Sequence, residues 1–228
     1  MELMHTAHIP VGAGPFPTIL ALHGFGSNAH DLLGIAPLVN QSVPGEQVMF
    51  LCPQGPVVIE PQPEQRAYAW FPISGGGEID PTALVGARGV LEGFVDDALE
   101  HYPIDPDRLV IMGFSQGGVM AYDLALGRPD RYAALVALST WLPEQVLGSL
   151  QPDEARADLT TLLIHGTTDP MVAIDSGKAA FEALKGLGIE AAWGEYEMGH
   201  EINQNAMRDL LGWLAQEPFA LPGASGTA

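Results

Sequence analysis

The sequence predicts an α/β domain, with a mainly parallel central sheet and helices on both faces. Three observations carry this expectation. Short apolar runs alternate with segments of helical periodicity along the chain. The 228 residues are 47% hydrophobic and only 16% charged, enough for one domain with a large core. The 27 glycines and 19 prolines punctuate the apolar runs rather than cluster, as tight connections between elements require.

Thr18 to His23 reads as a buried strand that ends in His23-Gly24-Phe25-Gly26. Val48 to Cys52 is a second strand, closed by Pro53. Gly55 to Pro81 has little periodicity and holds prolines, a glycine triplet and Trp70-Phe71; a loop of this length in a compact domain is usually functional or disordered. Leu84 to His101 places Leu84, Leu91, Val95 and Leu99 at helical spacing. Leu109 to Phe114 is a strand, and Gln116 to Gly127 a helix stopped by Gly127 and Pro129. Leu135 to Ser139 and Thr161 to His165 are strands, Gly177 to Leu187 is a helix, Ala191 to Tyr196 a strand, and Ile202 to Leu214 the closing helix. There is no internal repeat and no linker, so residues 1–217 are expected to form a single domain and 218–228 a flexible tail.

The net charge of −19 repels phosphate backbones and anionic lipid, which argues against nucleic acid partners and against stable membrane association. The single cysteine, Cys52, cannot form an intramolecular disulfide and reads as a small core residue. Met1 to Pro10 has neither a basic nor an apolar leader segment. The expectation is a cytoplasmic protein, monomeric or homodimeric.

The chemistry centres on Gly113-Phe114-Ser115-Gln116-Gly117, which fits G-x-S-x-G. The motif alone is weak, but here it lies between an apolar strand and a helix. That strand–turn–helix context lets glycines on either side make a sharp turn that presents the serine hydroxyl, while the helix N-terminus offers N–H groups to a developing oxyanion. A serine nucleophile needs a base and an orienting carboxylate, and in the α/β-hydrolase fold these follow it as acid and then histidine, each after a strand. Asp169 follows the strand ending at His165, and His200 follows the strand ending near Tyr196. His165 closes a strand and reads as structural. Glu195, Glu197 and Asp175 are alternative acids, with Asp169 preferred because it sits in the turn directly after a core strand. The oxyanion donors are expected to be the backbone N–H groups of Gln116 and Phe25. Because only its backbone is invoked, truncation of the Gln116 side chain is expected to be tolerated. His23 reads as a residue that orders the oxyanion loop rather than as a second base.

Leu22-His23-Gly24-Phe25-Gly26, Pro53-Gln54-Gly55-Pro56, Trp70-Phe71, Gly113-Phe114-Ser115-Gln116-Gly117-Gly118, Ala137-Leu138-Ser139, His165-Gly166-Thr167-Thr168-Asp169 and Gly199-His200 together resemble the phospholipase/carboxylesterase family, which includes bacterial carboxylesterases and acyl-protein thioesterases. The resemblance spans roughly residues 15 to 216 and implies an α/β-hydrolase fold without a large lid domain, no metal and no cofactor. It carries the triad onto Ser115, Asp169 and His200 and the oxyanion donors onto Phe25 and Gln116. Two departures lie in the loop that should shape the substrate pocket: the residues of 57–66 are unlike the family's, and Pro72 stands where an aspartate is usual.

Phe25, Trp70, Phe71, Ile73, Trp141, Leu142 and Met171 are expected to surround the acyl group. The expected activity is hydrolysis of short- to medium-chain carboxylic esters, small molecules, through an acyl-enzyme. An acyl-thioesterase or lysophospholipase would use the same residues, and a non-catalytic binding module is the reading from outside enzymology.

Overall fold

The computed structural model describes residues 3–62, 65–73 and 79–220. In chain order the elements are β1 (His5–His8), β2 (Phe16–Leu22), α1 (Ala36–Ser42), β3 (Met49–Pro53), β4 (Val57–Gln62), β5 (Gln65–Ala69), α2 (Pro81–His101), β6 (Ile104–Phe114), α3 (Gln116–Gly127), β7 (Ala134–Leu138), α4 (Glu144–Ser149), β8 (Thr160–Gly166), α5 (Ile174–Gly186), β9 (Ala191–Tyr196) and α6 (Gln204–Gln216). Every strand and helix expected from the sequence is present, with ends displaced by a few residues.

Seven strands form one sheet in the order β1-β3-β2-β6-β7-β8-β9. All neighbours pair in parallel except β1, which runs antiparallel along β3. The inner strands β2, β3, β7 and β8 and the second half of β6 read as continuous apolar runs because both faces are covered. Leu20, Leu22, Ile111, Leu135, Ala137 and Leu163 point to the face packed by α2, α3 and α5. Ile19, Ala21, Val110, Met112, Val136 and Ile164 point to the other, under α1 and α6. The helices start on local chemistry: Pro81 opens α2 with the Asp80 carboxylate accepting from Thr82 N–H, and the Asn203 side chain accepts from Ala206 N–H at the start of α6.

The sheet order positions the site. From β2 the chain moves outward to β3; it then crosses back over β2 and builds β6 to β9 on the opposite side. The topological switch point therefore lies between β2 and β6, and ligands bind open α/β sheets in the crevice beyond the carboxyl ends of strands at such a point. The loop after β2 and the turn after β6 flank it.

Three features differ from the sequence expectation. β1 is His-Thr-Ala-His, only half-buried, and without an apolar run it has no signature. The aperiodic segment after Gly55 contains a second, two-stranded sheet in which Val57, Val58 and Ile59 pair with Ala69, Tyr68 and Ala67. Its strands belong to no larger sheet, so nothing in the main sheet's pattern announces them. The first residues of the expected tail are packed on the domain, since Phe219 is fully buried against the α1/α6 face and its N–H donates to Leu214 O at 3.1 Å. Burial of such a ring contributes about 2 kcal/mol, enough to carry the ordered chain past the helix end. The expected tail residues 221–228 lie outside the described residues.

Candidate active site

The turn after β6 is built for close approach. Gly113 would place a Cβ 2.2 Å from Gly117 O, and Gly117 would place one 2.1 Å from Leu22 O, so neither position accepts a side chain. Ser115 lies between them at φ 52° and ψ −119°, a conformation costing of order 1–3 kcal/mol in a non-glycine residue. Surrounding bonds hold it there. Ser115 N–H donates to Leu138 O at 2.9 Å, and its carbonyl accepts from Thr140 Oγ1 at 2.6 Å and Gly118 N–H at 2.9 Å. The Ser115 side chain makes no capping bond to α3, so its hydroxyl is not spent on the helix it opens. The residue keeps 8% of its surface accessible, more enclosed than a protruding hydroxyl.

His200 and Asp169 meet as the sequence order requires. His200 Nδ1–H donates to Asp169 Oδ2 at 2.7 Å, which leaves Nε2 as the ring's acceptor. The other carboxylate oxygen accepts from Met171 N–H at 2.8 Å and Val172 N–H at 2.9 Å. Burial alone would raise the Asp169 pKa, but the bonds from Val172 N–H, the His200 ring and Met171 N–H outweigh it and hold the carboxyl below its ordinary range. The His200 ring packs 4.8 Å from the Phe114 ring, next to the serine. Thr168 Oγ1 donates to Met198 O at 3.0 Å, tying the acid loop to the base loop. The alternative acids are elsewhere: Glu195 accepts from Trp193 Nε1 and pairs with Lys178 at 3.1 Å, while Asp175 and Glu197 face solvent. His165 is structural, its Nε2–H donating to Val172 O at 2.9 Å and so bracing the Asp169 turn.

The loop after β2 carries Phe25 beside the serine, with the Gly24 Cα close enough that a Cβ there would meet Ser115 Cβ at 3.4 Å. His23 organises this loop. Gly55 N–H donates to its Nε2 at 3.0 Å, so the proton sits on Nδ1 and is donated to Gly24 O at 2.7 Å. Burial lowers the His23 pKa, with the Gly24 carbonyl and the Asp31 charge acting the other way. On the far side of Phe25, Gly26 N–H donates to Tyr68 O and Tyr68 N–H to Ser27 O, both at 2.9 Å, which docks the loop on β5.

Two sequence expectations are corrected. Trp70 and Phe71 are 1% and 0% exposed and pack in the core, so they offer no surface to a substrate. Trp70 instead donates from Nε1 to His23 O at 2.8 Å. The reading of Gln116 as a backbone donor alone is also incomplete: its side chain accepts from Trp70 N–H at 2.8 Å and donates to Phe71 O at 2.7 Å, fully buried. Truncating it leaves a buried donor and acceptor unpaired, which costs about 1–3 kcal/mol for each. Of the expected pocket residues, Phe25, Ile73 and Met171 remain at the surface, at 49%, 37% and 74% exposure, with Trp141 and Leu142 half-buried on the core. Among the described residues, no group of three or more His, Cys, Asp or Glu side chains is placed to hold a metal ion, and no helix is long and apolar enough to cross a membrane.

A parallel sheet with a glycine-flanked serine after one strand and a carboxylate–histidine pair after two later ones defines a hydrolase of the α/β-hydrolase fold. The profile of the phospholipase/carboxylesterase family matches residues 12–217, and the chain belongs to that family. Acyl-protein thioesterase 1 of Gibberella zeae is 26% identical over 220 residues, covering 91% of this chain and 93% of that protein. The crystal structure of esterase PE8 superposes with a TM-score of 0.79 at 26% identity, covering 95% of this chain and all of that one. The carboxylesterase of Bacillus cereus, at 20% identity and TM-score 0.77 over 94% of each chain, shares the fold.

Proposed function

We propose that this hydrolase is a serine carboxylesterase acting on short- to medium-chain esters, with Ser115, His200 and Asp169 as its triad. The observation that carries the reading is the 2.7 Å His200–Asp169 bond beside a serine held at positive φ with an unspent hydroxyl. Ser115 Oγ attacks the ester carbonyl carbon as His200 Nε2 takes its proton. The Asp169 carboxylate stabilises the imidazolium. The carbonyl oxygen, now an oxyanion, accepts from Phe25 N–H and Gln116 N–H. Collapse expels the alkoxide, which leaves as the alcohol with the proton held by His200. Water then gives a proton to His200 and its oxygen to the acyl carbon; the bond from that carbon to Ser115 Oγ breaks as His200 returns the proton to Oγ, and the acid is released.

Of the expected pocket residues, Phe25, Ile73 and Met171 are the exposed ones, a limited apolar lining that suits short acyl groups better than long ones. Thioester hydrolysis is the second reading, favoured by the similarity to an acyl-protein thioesterase. A fluorophosphonate probe is expected to label the wild type and not Ser115→Ala, with turnover lost by about 10⁶-fold. Activity of Ser115→Ala within tenfold of wild type defeats the assignment. Matched oxygen esters and thioesters of rising chain length decide between the two readings by their kcat/KM.

A further inference from the structure

The two proposed oxyanion donors belong to segments about ninety residues apart, and one chain of buried hydrogen bonds joins them. It starts at the Gln116 carboxamide, which clamps the Trp70–Phe71 backbone with bonds of 2.8 and 2.7 Å. From there the Trp70 indole N–H reaches His23 O at 2.8 Å. The His23 ring in turn holds Gly24 O at 2.7 Å and receives Gly55 N–H at 3.0 Å. Gly24 precedes Phe25. The rings of His23 and Trp70 pack 5.1 Å apart, and neither residue has surface for a ligand.

We propose that the Gln116 side chain, the Trp70 indole and His23 form a positioning relay that sets the distance between the Phe25 and Gln116 N–H groups. This rests on the serine esterase reading above. The physical case is the need for precision. An oxyanion hole acts only when both donors lie within hydrogen-bond reach of the position the oxyanion will occupy, and a displacement near 1 Å can cost about a hundredfold. The loop after β2 lies outside the main sheet, and Phe25 itself is half exposed, so core packing does not fix its N–H. The Tyr68 bonds hold the loop beyond Phe25; the relay holds it on the side before Phe25 and fastens that side to Gln116, the residue that carries the other donor.

The relay should therefore act on the transition state and not on ground-state binding. The test uses the full chain as wild type, Gln116→Ala, Trp70→Phe and the double variant, assayed well below each melting temperature. Trp70→Phe keeps an aromatic ring and the backbone bond to Gln116 while deleting the indole donor, so it remains decisive if Gln116→Ala does not fold. The probe is an alkyl trifluoromethyl ketone. Its carbonyl carbon accepts Ser115 Oγ, the serine proton passes to His200, and the resulting oxyanion occupies the hole. Each single variant is expected to lower kcat about 30-fold with KM within about threefold, and to weaken ketone inhibition by the same factor as kcat/KM. The double variant should lose little more than the worse single one, because one chain is already broken. A purely structural role would lower the melting temperature yet leave kcat and ketone affinity at wild-type values in folded Trp70→Phe, and that result overturns the relay. If the ketone does not inhibit the wild type and a fluorophosphonate does not label it, the serine esterase reading falls, and the relay with it.

Discussion

The two sides of the site are assembled in different ways. On the acid–base side, β8 and β9 are consecutive in the chain and adjacent in the sheet, so the loops that follow them meet by default. Asp169 is then trimmed by bonds to Met171, Val172 and the base itself, with His165 bracing the turn from four residues away. On the oxyanion side, a loop after β2 is held through Gly55, Tyr68, Trp70 and Gln116, partners drawn from a separate hairpin, its flanks and the start of α3. One side follows from sheet order; the other depends on an insertion docking on it. Chemical function should thus be most sensitive to point changes on the first side, and coupled stability and function on the second.

The largest effect expected in testing this contrast is that of Asp169→Asn. It keeps the size of the side chain and removes the charge that orients His200, so kcat should fall by about 10⁴-fold with little change in overall fold. Steady-state kinetics and circular dichroism of the purified variant check this. A benign Asp169→Asn would break the account of the acid–base side.

A smaller effect separates the sides by pH. The His23 pKa is lowered in the folded state, chiefly by burial, relative to the 6.5 of a free ring. A depressed folded pKa means that the unfolded chain binds the proton first. Stability from this residue is therefore complete above pH 6.5 and is lost as the pH falls through and below that value. Asp169 has the same sign in a lower window, beneath the ordinary carboxylate value of 3.8. His23→Gln retains an acceptor for Gly55 N–H but does not titrate. Melting temperatures measured from pH 8 to pH 5 should fall more steeply for wild type than for this variant; parallel curves would remove His23 as the acid-sensitive joint of the oxyanion side.

The smallest effect belongs to a side chain that is in neither framework, since Met171 serves the acid–base side through its backbone N–H alone. Met171 is 74% exposed, so Met171→Ala should alter stability by less than about 0.5 kcal/mol. Its consequence should appear only as a few-fold rise in KM for the longer acyl chains of an ester series. An equal rise for acetyl esters would mean that the side chain acts on the turn holding Asp169 rather than on the acyl group.

The elbow, the Asp169–His200 pair and the sheet were legible in the residues because each is locally or serially encoded. Gly113, Ser115 and Gly117 sit within five positions, and the serine, acid and histidine follow strands whose apolar runs mark them. The sequence could also separate His200 from His165, since a histidine closing a strand and a histidine after a glycine differ in reach.

What the residues alone did not decide is the use of side chains whose partners are distant. Trp70 and Phe71 read as pocket walls because an aromatic pair in an aperiodic stretch has no apolar period to mark it as core. Only the docking of that stretch buries them. Gln116 reads as a backbone donor because its side-chain partners lie 46 and 45 residues away. His23 was placed as an ordering residue, but its tautomer required Gly55, 32 residues on. Periodicity and motif spacing report which face of an element is buried and which turn is sharp. They carry no information on which far-off carbonyl or N–H a polar side chain will meet, because that depends on how separately encoded elements dock. Sequence by itself thus determined the fold and named the residues of the proposed triad, and tertiary structure decided which of their neighbours hold them in register.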